Sequence, residues 1–520
     1  MRRRITAAVA GLVVTLTLAG CAPPSDPDWM PRGWSAHELR TLDAPPSPLS
    51  AAEVAGLAGE RVRNDTLGLQ ARVVVVPGAE PVSTAALQRV RAAVDARAAA
   101  AGRAYTPEVF DRDAGLGDRL CVPGSTSQPA GAVLADPTLG PAGGTGTAVV
   151  CDVLAAAGSV LGQRIRTIDA EAGVATADRA EVIFADVVSG ETVGARGLWS
   201  AEAAASLWSE VVDLLRREAG SLSLAPVPAP DPATAEQFAG VLESTVPAPD
   251  GSFVFTLPAG FTAPALADLG AAPTPAPRHI AVPRARVSVL ASSLGLTLSG
   301  ALASGAAFAA PEAPAARTGT TDCRLVPCVA LTYDDGPGPL TPSILDALAA
   351  QRSAATFFAI GRNVAGGADT LRRMVADGHE LANHTWNHPQ LPTLDAAAVG
   401  RQIRDTQNAI REATGITPTM FRPPYGEYDD MVLRAAGLPA ILWDVDTNDW
   451  QQPADDVLVD RAVNRAQPRS IVLMHDVHEL TARVTPEVIA GLRDRGFTLV
   501  TVTELFGGTA PTSGAWRSAR

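Results

Sequence analysis

Leu331-Thr-Tyr-Asp-Asp-Gly-Pro337 is the stretch around which the chain is organised. The apolar run Cys328-Val-Ala-Leu-Thr-Tyr333 leads into it and reads as a short buried strand, which Gly336-Pro337 stops. Asp334 and Asp335 therefore sit at a strand end. Successive side chains on a strand face opposite ways, but where the strand frays both can turn toward one pocket. Two like charges so close repel unless a cation lies between them or one takes a proton. An Asp-Asp-Gly turn on a surface is the commoner fate of such a tripeptide, so the surrounding pattern has to decide.

Beyond residue 323 that pattern is regular. Strand-like runs occur at 328–333, 355–360, 380–383, 419–421, 440–443, 471–474 and 497–502. Helical patterns fall between them, at 342–351, 369–377, 396–414, 429–436, 454–466 and 486–495. Such alternation predicts parallel strands with crossover helices. A closed or nearly closed (β/α) barrel is favoured, with an open sheet the alternative. The polar residues then fall into place. Asp334 and Asp335 follow the first strand, and His384-Thr-Trp-Asn-His388 the third. Arg422-Pro-Pro-Tyr425 follows the fourth, Asp446-Thr-Asn-Asp449-Trp450 the fifth and His475-Asp476 the sixth. All lie at C-terminal strand ends, where barrel enzymes keep their chemistry.

His384 and His388 are spaced i, i+4, which puts two imidazoles on one face of a helical turn. Alone, such a pair is more often a solvated or core feature. Here five of the seven histidines (His379, His384, His388, His475, His478) fall in one segment. With Asp335 they make a two-histidine, one-carboxylate set, which suits a catalytic Zn²⁺ holding a water and equally a non-haem Fe(II) oxygenase. The spare groups favour hydrolysis. Asp334 can serve as a base, and His475, tunable near neutrality, as an acid; an oxygenase has no use for that pair.

Thr332-Tyr-Asp-Asp-Gly336, His384-Thr-Trp-Asn-His388, Arg422-Pro-Pro-Tyr425, Asp446-Thr-Asn-Asp449-Trp450 and Leu473-Met-His-Asp476 resemble the five ordered motifs of the polysaccharide deacetylases. That family is also called the NodB-homology domain or carbohydrate esterase family four. The resemblance covers residues 323–506, and no motif position departs from it. It implies a distorted (β/α) barrel of about seven parallel strands and metal-dependent removal of acetyl groups from sugars. By that resemblance Asp335, His384 and His388 hold a divalent metal, Zn²⁺ being the usual one, and Asp334 is the base for the attacking water. His475 protonates the leaving amine. Arg422 pairs with the base, Asp449 rather than Asp446 orients His475, and the backbone N–H of Tyr425 stabilises the oxyanion. Trp450 and Leu473 line the pocket for the acetyl methyl, with Tyr425 beside the substrate.

The chain has 520 residues, is 47% hydrophobic and carries a net charge of −13, which argues against a general nucleic-acid partner. Residues 1–21 read as a signal peptide: Arg2-Arg3-Arg4, then an apolar stretch from Ala7 to Leu18. Leu18-Ala19-Gly20-Cys21 resembles a bacterial lipobox, which implies lipidation at Cys21 and an anchor on the outer face of the cytoplasmic membrane. An ordinary secretory signal and a single-span anchor are the alternatives. Residues 22–50 read as a flexible tether. Residues 51–300 read as an α+β region of unreadable role, in one part or two. It carries expected strands at 71–77, 147–154, 160–168, 180–188 and 251–257, and helices at 83–101 and 200–219. Residues 301–322 read as an Ala/Pro-rich linker and 507–520 as a disordered tail.

An exported protein favours disulfides, and four cysteines besides Cys21 allow three connectivities. Pairing Cys121 with Cys151 and Cys323 with Cys328 keeps each bond within one domain. The Cys323-x4-Cys328 spacing also matches half a zinc site, with no partner pair nearby. A tethered enzyme outside the membrane points to peptidoglycan as substrate. Chitin-like oligosaccharides, an exopolysaccharide and acetylated xylan are alternatives, as is a wall-binding or sensory lipoprotein with a vestigial barrel.

Overall fold

The computed structural model describes residues 38–221, 226–267, 273–312 and 321–520. The signal segment, Cys21 and most of the tether lie outside them. Among the described residues no helix is long and apolar enough to cross a membrane.

The C-terminal part is built on the strand Cys328–Asp334, every residue of which is buried. The parallel order is Glu380–Asn383, Thr356–Ala359, Cys328–Asp334, Ile471–His475 and Val445–Asp446, with Thr498–Leu499 pairing at the foot of the central strand. Single bridges from Asn383 to Phe421 and from Phe421 to Ala440 carry the pairing round to the segment that continues into Val445. The result is a distorted β/α barrel rather than seven even strands. The expected strand at 419–421 shrinks to one bridging residue, because Pro418, Pro423 and Pro424 flank it and cannot donate to a ladder. Amphipathic helices cover the outside, among them Ala396–Thr414, whose Val399, Ile403 and Ile410 are buried.

The N-terminal half holds two sheets. One runs Ala58–Asn64, Leu69–Val75, Gly146–Ala157, Val160–Glu171, Val174–Asp186 and Thr192–Gly194, with the helix Glu80–Ala101 packed on it. The other is antiparallel and runs Arg40–Leu42, Arg278–Val282, Phe253–Leu257 and Val246–Pro247. Its core joins Leu207 and Val211 of the helix Ala203–Glu218 to Phe238, Phe255 and Ile280. The expected α+β character and the elements foreseen there are present, with shifted ends. Ala58–Asn64 escapes a hydrophobic-pattern reading because it buries Glu60 and Arg61. Arg61 is accommodated by the Gly115 carbonyl and Gln70. Cys121 is bonded to Cys151 and Cys323 to Cys328.

Three segment boundaries need correction. The tether does not run to residue 50: Arg40–Leu42 is a strand, and the Leu49 N–H donates to the Val153 carbonyl. The linker does not begin at 301, since Ala301–Ala303 ends the helix Ser293–Ala303 and Ala307 and Phe308 bridge to Ala157 and Gly158; residues 313–320 lie outside the described residues. The tail is not structureless: Ala515–Trp516 pairs in parallel with Ala440–Ile441.

The two halves meet at the foot of the barrel, at the N-terminal ends of its strands. Arg119 donates to the Thr498 hydroxyl at 2.8 Å and the Phe497 carbonyl at 2.6 Å. Arg352 donates to the carbonyls of Gly56 and Leu57, and the Tyr105 hydroxyl to that of Leu325. The opposite end of the barrel carries the motif residues.

His379 lies at this foot, 6% exposed, with its Nδ1 accepting from the Ala355 N–H. Burial, with a smaller push from Arg373, holds the imidazole down to about 3. The unfolded chain takes up this proton first, so the contribution of His379 to stability is complete above about pH 6.5 and is lost as the pH falls. Urea unfolding at pH 7 and pH 4 should show a loss from this group of roughly 3 kcal/mol. A His379→Gln variant should lose correspondingly less between the same two conditions.

Candidate active site

The central strand ends in a turn that only glycine fits. A Cβ on Gly336 would lie 2.1 Å from Oδ2 of the buried Asp476. Asp335 adopts φ 77°, and Thr385, His388, Tyr425 and Asn448 also have positive φ. Such conformations are costly for residues with side chains and tend to cluster where function demands them. Here they lie in the loops after the barrel strands and turn the motif side chains inward.

Asp335, His384 and His388 converge, with one ligand atom from each within 4.8 Å of the others. Asp335 Oδ1 is 3.5 Å from His384 Nε2 and 3.6 Å from His388 Nε2. That oxygen is buried and has no hydrogen-bond partner, a costly state unless a cation meets it. His384 Nδ1 lies 2.8 Å from the Arg422 carbonyl, which can only accept, so Nδ1 carries the proton and Nε2 presents its lone pair. Burial holds His384 down to about 3, neutral as a ligand must be. The donor set therefore fits a divalent cation, and two imidazoles with one carboxylate match the catalytic zinc pattern.

Asp334 is buried beside this set, its Oδ2 3.7 Å from His384 Nε2. Its Oδ1 accepts from Arg422 Nη1 at 2.8 Å. Burial pushes the Asp334 carboxyl up from the ordinary range and Arg422 partly counters it, leaving a carboxylate more basic than a free one. Arg422 is fully buried and spends its other donors on the Thr332 hydroxyl and the carbonyls of Ile441 and Leu442. Phe358 lies under its guanidinium at 4.1 Å.

At the same end of the barrel, His475 Nδ1 lies 2.8 Å from Asp449 Oδ1. Asp449 Oδ2 accepts from the His475 N–H and the Thr481 hydroxyl. Burial opposes protonation of His475, but the Asp449 hydrogen bond and the charges of Asp449, Asp334 and Asp335 outweigh it and raise the imidazole to about 9. Asp446 is engaged elsewhere, with the Trp443 indole and the Asn448 N–H. Tyr425 packs edge-on to His388 at 4.7 Å, and Tyr425 and Trp450 are exposed. Leu473 is buried on the strand that pairs with the central one.

Several residues at the site escaped the sequence reading. Thr332 receives Arg422 and donates to the Val472 carbonyl. Asn363 donates to the Asp335 carbonyl, Thr481 holds Asp449, and Gln402 accepts from the N–H groups of Trp386 and Asn387 between the two histidines. These are neutral polar side chains on strands and helices, where no spacing or charge pattern marks them.

The family model described as polysaccharide deacetylase matches residues 322–440. The chitooligosaccharide deacetylase of Sinorhizobium fredii (strain NBRC 101917 / NGR234) is 41% identical over 189 residues, covering 33% of this chain and 88% of that protein. The chain belongs to the polysaccharide deacetylase family. Peptidoglycan-N-acetylmuramic acid deacetylase PdaC of Bacillus subtilis (strain 168) is 41% identical over 178 residues, which are 34% of this chain and 38% of PdaC. Peptidoglycan-N-acetylglucosamine deacetylase PgdA of Listeria monocytogenes serotype 1/2a (strain 10403S) is 38% identical over 198 residues, 38% of this chain and 41% of PgdA. The chain thus spans about two-fifths of the length of these two peptidoglycan deacetylases.

Calorimetric titration with Zn²⁺ should give one ion per chain. Replacing His384, His388 or Asp335 by alanine should weaken binding by about a hundredfold or more, since each removes one of three protein ligands and loss of an outer-shell partner alone costs about 10–100-fold. Replacing His379 should leave it unchanged.

Proposed function

We propose that the chain is a metal-dependent hydrolase that removes N-acetyl groups from a cell-wall polysaccharide, peptidoglycan first among them. The observation that carries the reading is the convergence of a three-residue ligand set, a buried carboxylate and a carboxylate-held histidine at one end of the barrel, where Asp334 and Asp335 lie near enough to His475 for their charges to act on it. The two peptidoglycan deacetylases among its relatives support the substrate. The Sinorhizobium relative, matched over most of its length, keeps a chitin-like oligosaccharide as a second reading. The lipobox-like Leu18–Cys21 supports an exported, lipid-anchored enzyme that acts on the outer face of the membrane.

Asp335, His384 and His388 would hold the cation, with Zn²⁺ the ion their chemistry suits best. Bound there, it supplies Lewis-acid polarisation of the acetyl carbonyl and acidifies water. Asp334, basic through burial and held by Arg422, takes the proton of the attacking water. The Tyr425 N–H stabilises the developing oxyanion, a kind of contact worth roughly 3–4 kcal/mol. His475 enters protonated at Nδ1, facing Asp449, and gives its Nε2 proton to the departing amine. Trp450 and Leu473 bound the space for the acetyl methyl. An amide is a poor electrophile with a poor leaving group, so the base and the acid are both needed.

Incubating the zinc-loaded protein with purified peptidoglycan should release acetate, and mass spectrometry should show which sugar has lost the acetyl group. Asp334→Asn should keep the bound zinc yet lower kcat by about 10²–10⁴; near-normal turnover would remove Asp334 as the base. Asp449→Asn withdraws the charge that keeps His475 protonated. The alkaline limb of its kcat/KM profile should therefore move to lower pH by about one unit or more.

A further inference from the structure

We propose that the C-terminal segment at residues 514–520, which contains the short strand Ala515–Trp516, is a positioning element of the catalytic site, fixing the backbone that aims Arg422 at Asp334. The inference rests on the deacetylase reading and adds to it a part of the chain outside the five motifs.

Arg422 touches Asp334 through Nη1, but the direction of its fork is set by Nε on the Ile441 carbonyl at 2.9 Å and Nη2 on the Leu442 carbonyl at 3.0 Å. A planar guanidinium held at two such points has little freedom left for its third contact. The position of Asp334 Oδ1 relative to its partner is thus tied to the backbone of residues 441–442.

That backbone is held from two sides. On the inner side the Ile441 N–H donates to the Phe421 carbonyl at 2.8 Å. On the other side the tail takes over: the Ala440 N–H donates to the Gly514 carbonyl at 2.8 Å and the Leu442 N–H to the Trp516 carbonyl at 2.7 Å. Contact with the strand Ile471–His475 resumes only at Asp444, whose N–H donates to the Ile471 carbonyl, and the ladder proper at Val445. Without the tail, residues 440–442 become a sheet edge, with the Ala440 and Leu442 N–H groups left to solvent.

The tail is itself tied down. Ser518 bridges to Ser470, the Ala519 N–H donates to the Arg469 carbonyl, and Arg469 Nη1 donates to the Ala519 carbonyl at 3.0 Å. Arg520 pairs with Asp444, whose carboxylate also receives the Ile471 N–H. Ala519 is buried in the same core cluster as Ile441 and Ile471. The Trp516 ring packs edge-on against Phe506 at 5.5 Å and is partly exposed. The segment lies against the barrel from outside, so it is open to removal and replacement. None of its residues touches the ligand set, so its loss should leave cation binding intact.

The test compares the full chain with one that stops after Gly508, both zinc-loaded and assayed for acetate release from peptidoglycan fragments. The expected result is a kcat lower by tenfold or more, a KM within about twofold and an unchanged zinc stoichiometry, because a mis-set base acts on turnover. Adding a synthetic peptide of residues 509–520 should restore kcat. If the shortened chain does not fold, a full chain with a protease site between Gly508 and Thr509, cut after folding and freed of its tail, takes its place and is read the same way. Unchanged kcat without the tail overturns the proposal. So does a fall in kcat that the peptide does not reverse, or one that comes with loss of zinc. A full chain that releases no acetate sinks the deacetylase reading and this proposal together. An active full chain with an equally active shortened form sinks the positioning role alone.

Discussion

The site depends on one buried cation, the Arg422 guanidinium. It reaches Asp334 at 2.8 Å, and the carbonyl of the same residue fixes Nδ1 of His384. One residue thereby holds the Asp334 carboxylate in place and sets the tautomer of a candidate ligand. Burying that charge is expensive, and removing one partner of such a pair generally costs about 3–5 kcal/mol. Here four hydrogen bonds and the faces of Phe358 and Trp443 compensate it. Lysine could carry the charge but not the fork that ties Asp334 to the backbone at 441–442.

The arrangement keeps three protonation states apart within one pocket. His384 stays neutral because it is buried, Asp334 is made more basic by burial, and His475 stays protonated through Asp449. Groups of one chemical kind are thus driven to opposite tasks by their surroundings. The N-terminal half attaches at the other end of the barrel, through Arg119, Arg352 and Tyr105. The mouth, with Tyr425, Trp450 and Trp386 exposed, faces away from that contact.

Much of this was legible in the residues. The β/α alternation beyond residue 323 is visible because each strand is a short apolar run and each helix amphipathic. The ligand set is visible because histidines and paired acids are rare enough for their spacing to stand out. The choice of Asp449 over Asp446 rests on the family resemblance, because both follow the same strand and spacing alone leaves both open; in the fold it is Asp449 that faces His475. The strand at Ala58–Asn64 was hidden by charges that are buried against partners distant in sequence. The strand at 515–516 was hidden because Gly and Ser suggest disorder, whereas its pairing rests on backbone groups that composition does not report.

X-ray absorption at the zinc edge of the loaded protein tests the central claim most directly. The account predicts two imidazole nitrogens at about 2.0–2.1 Å and carboxylate oxygen at about 2.0–2.2 Å, with a remaining position for water. A spectrum showing no imidazole scattering, or a shell of sulfur at about 2.3 Å, would place the ion elsewhere and contradict it.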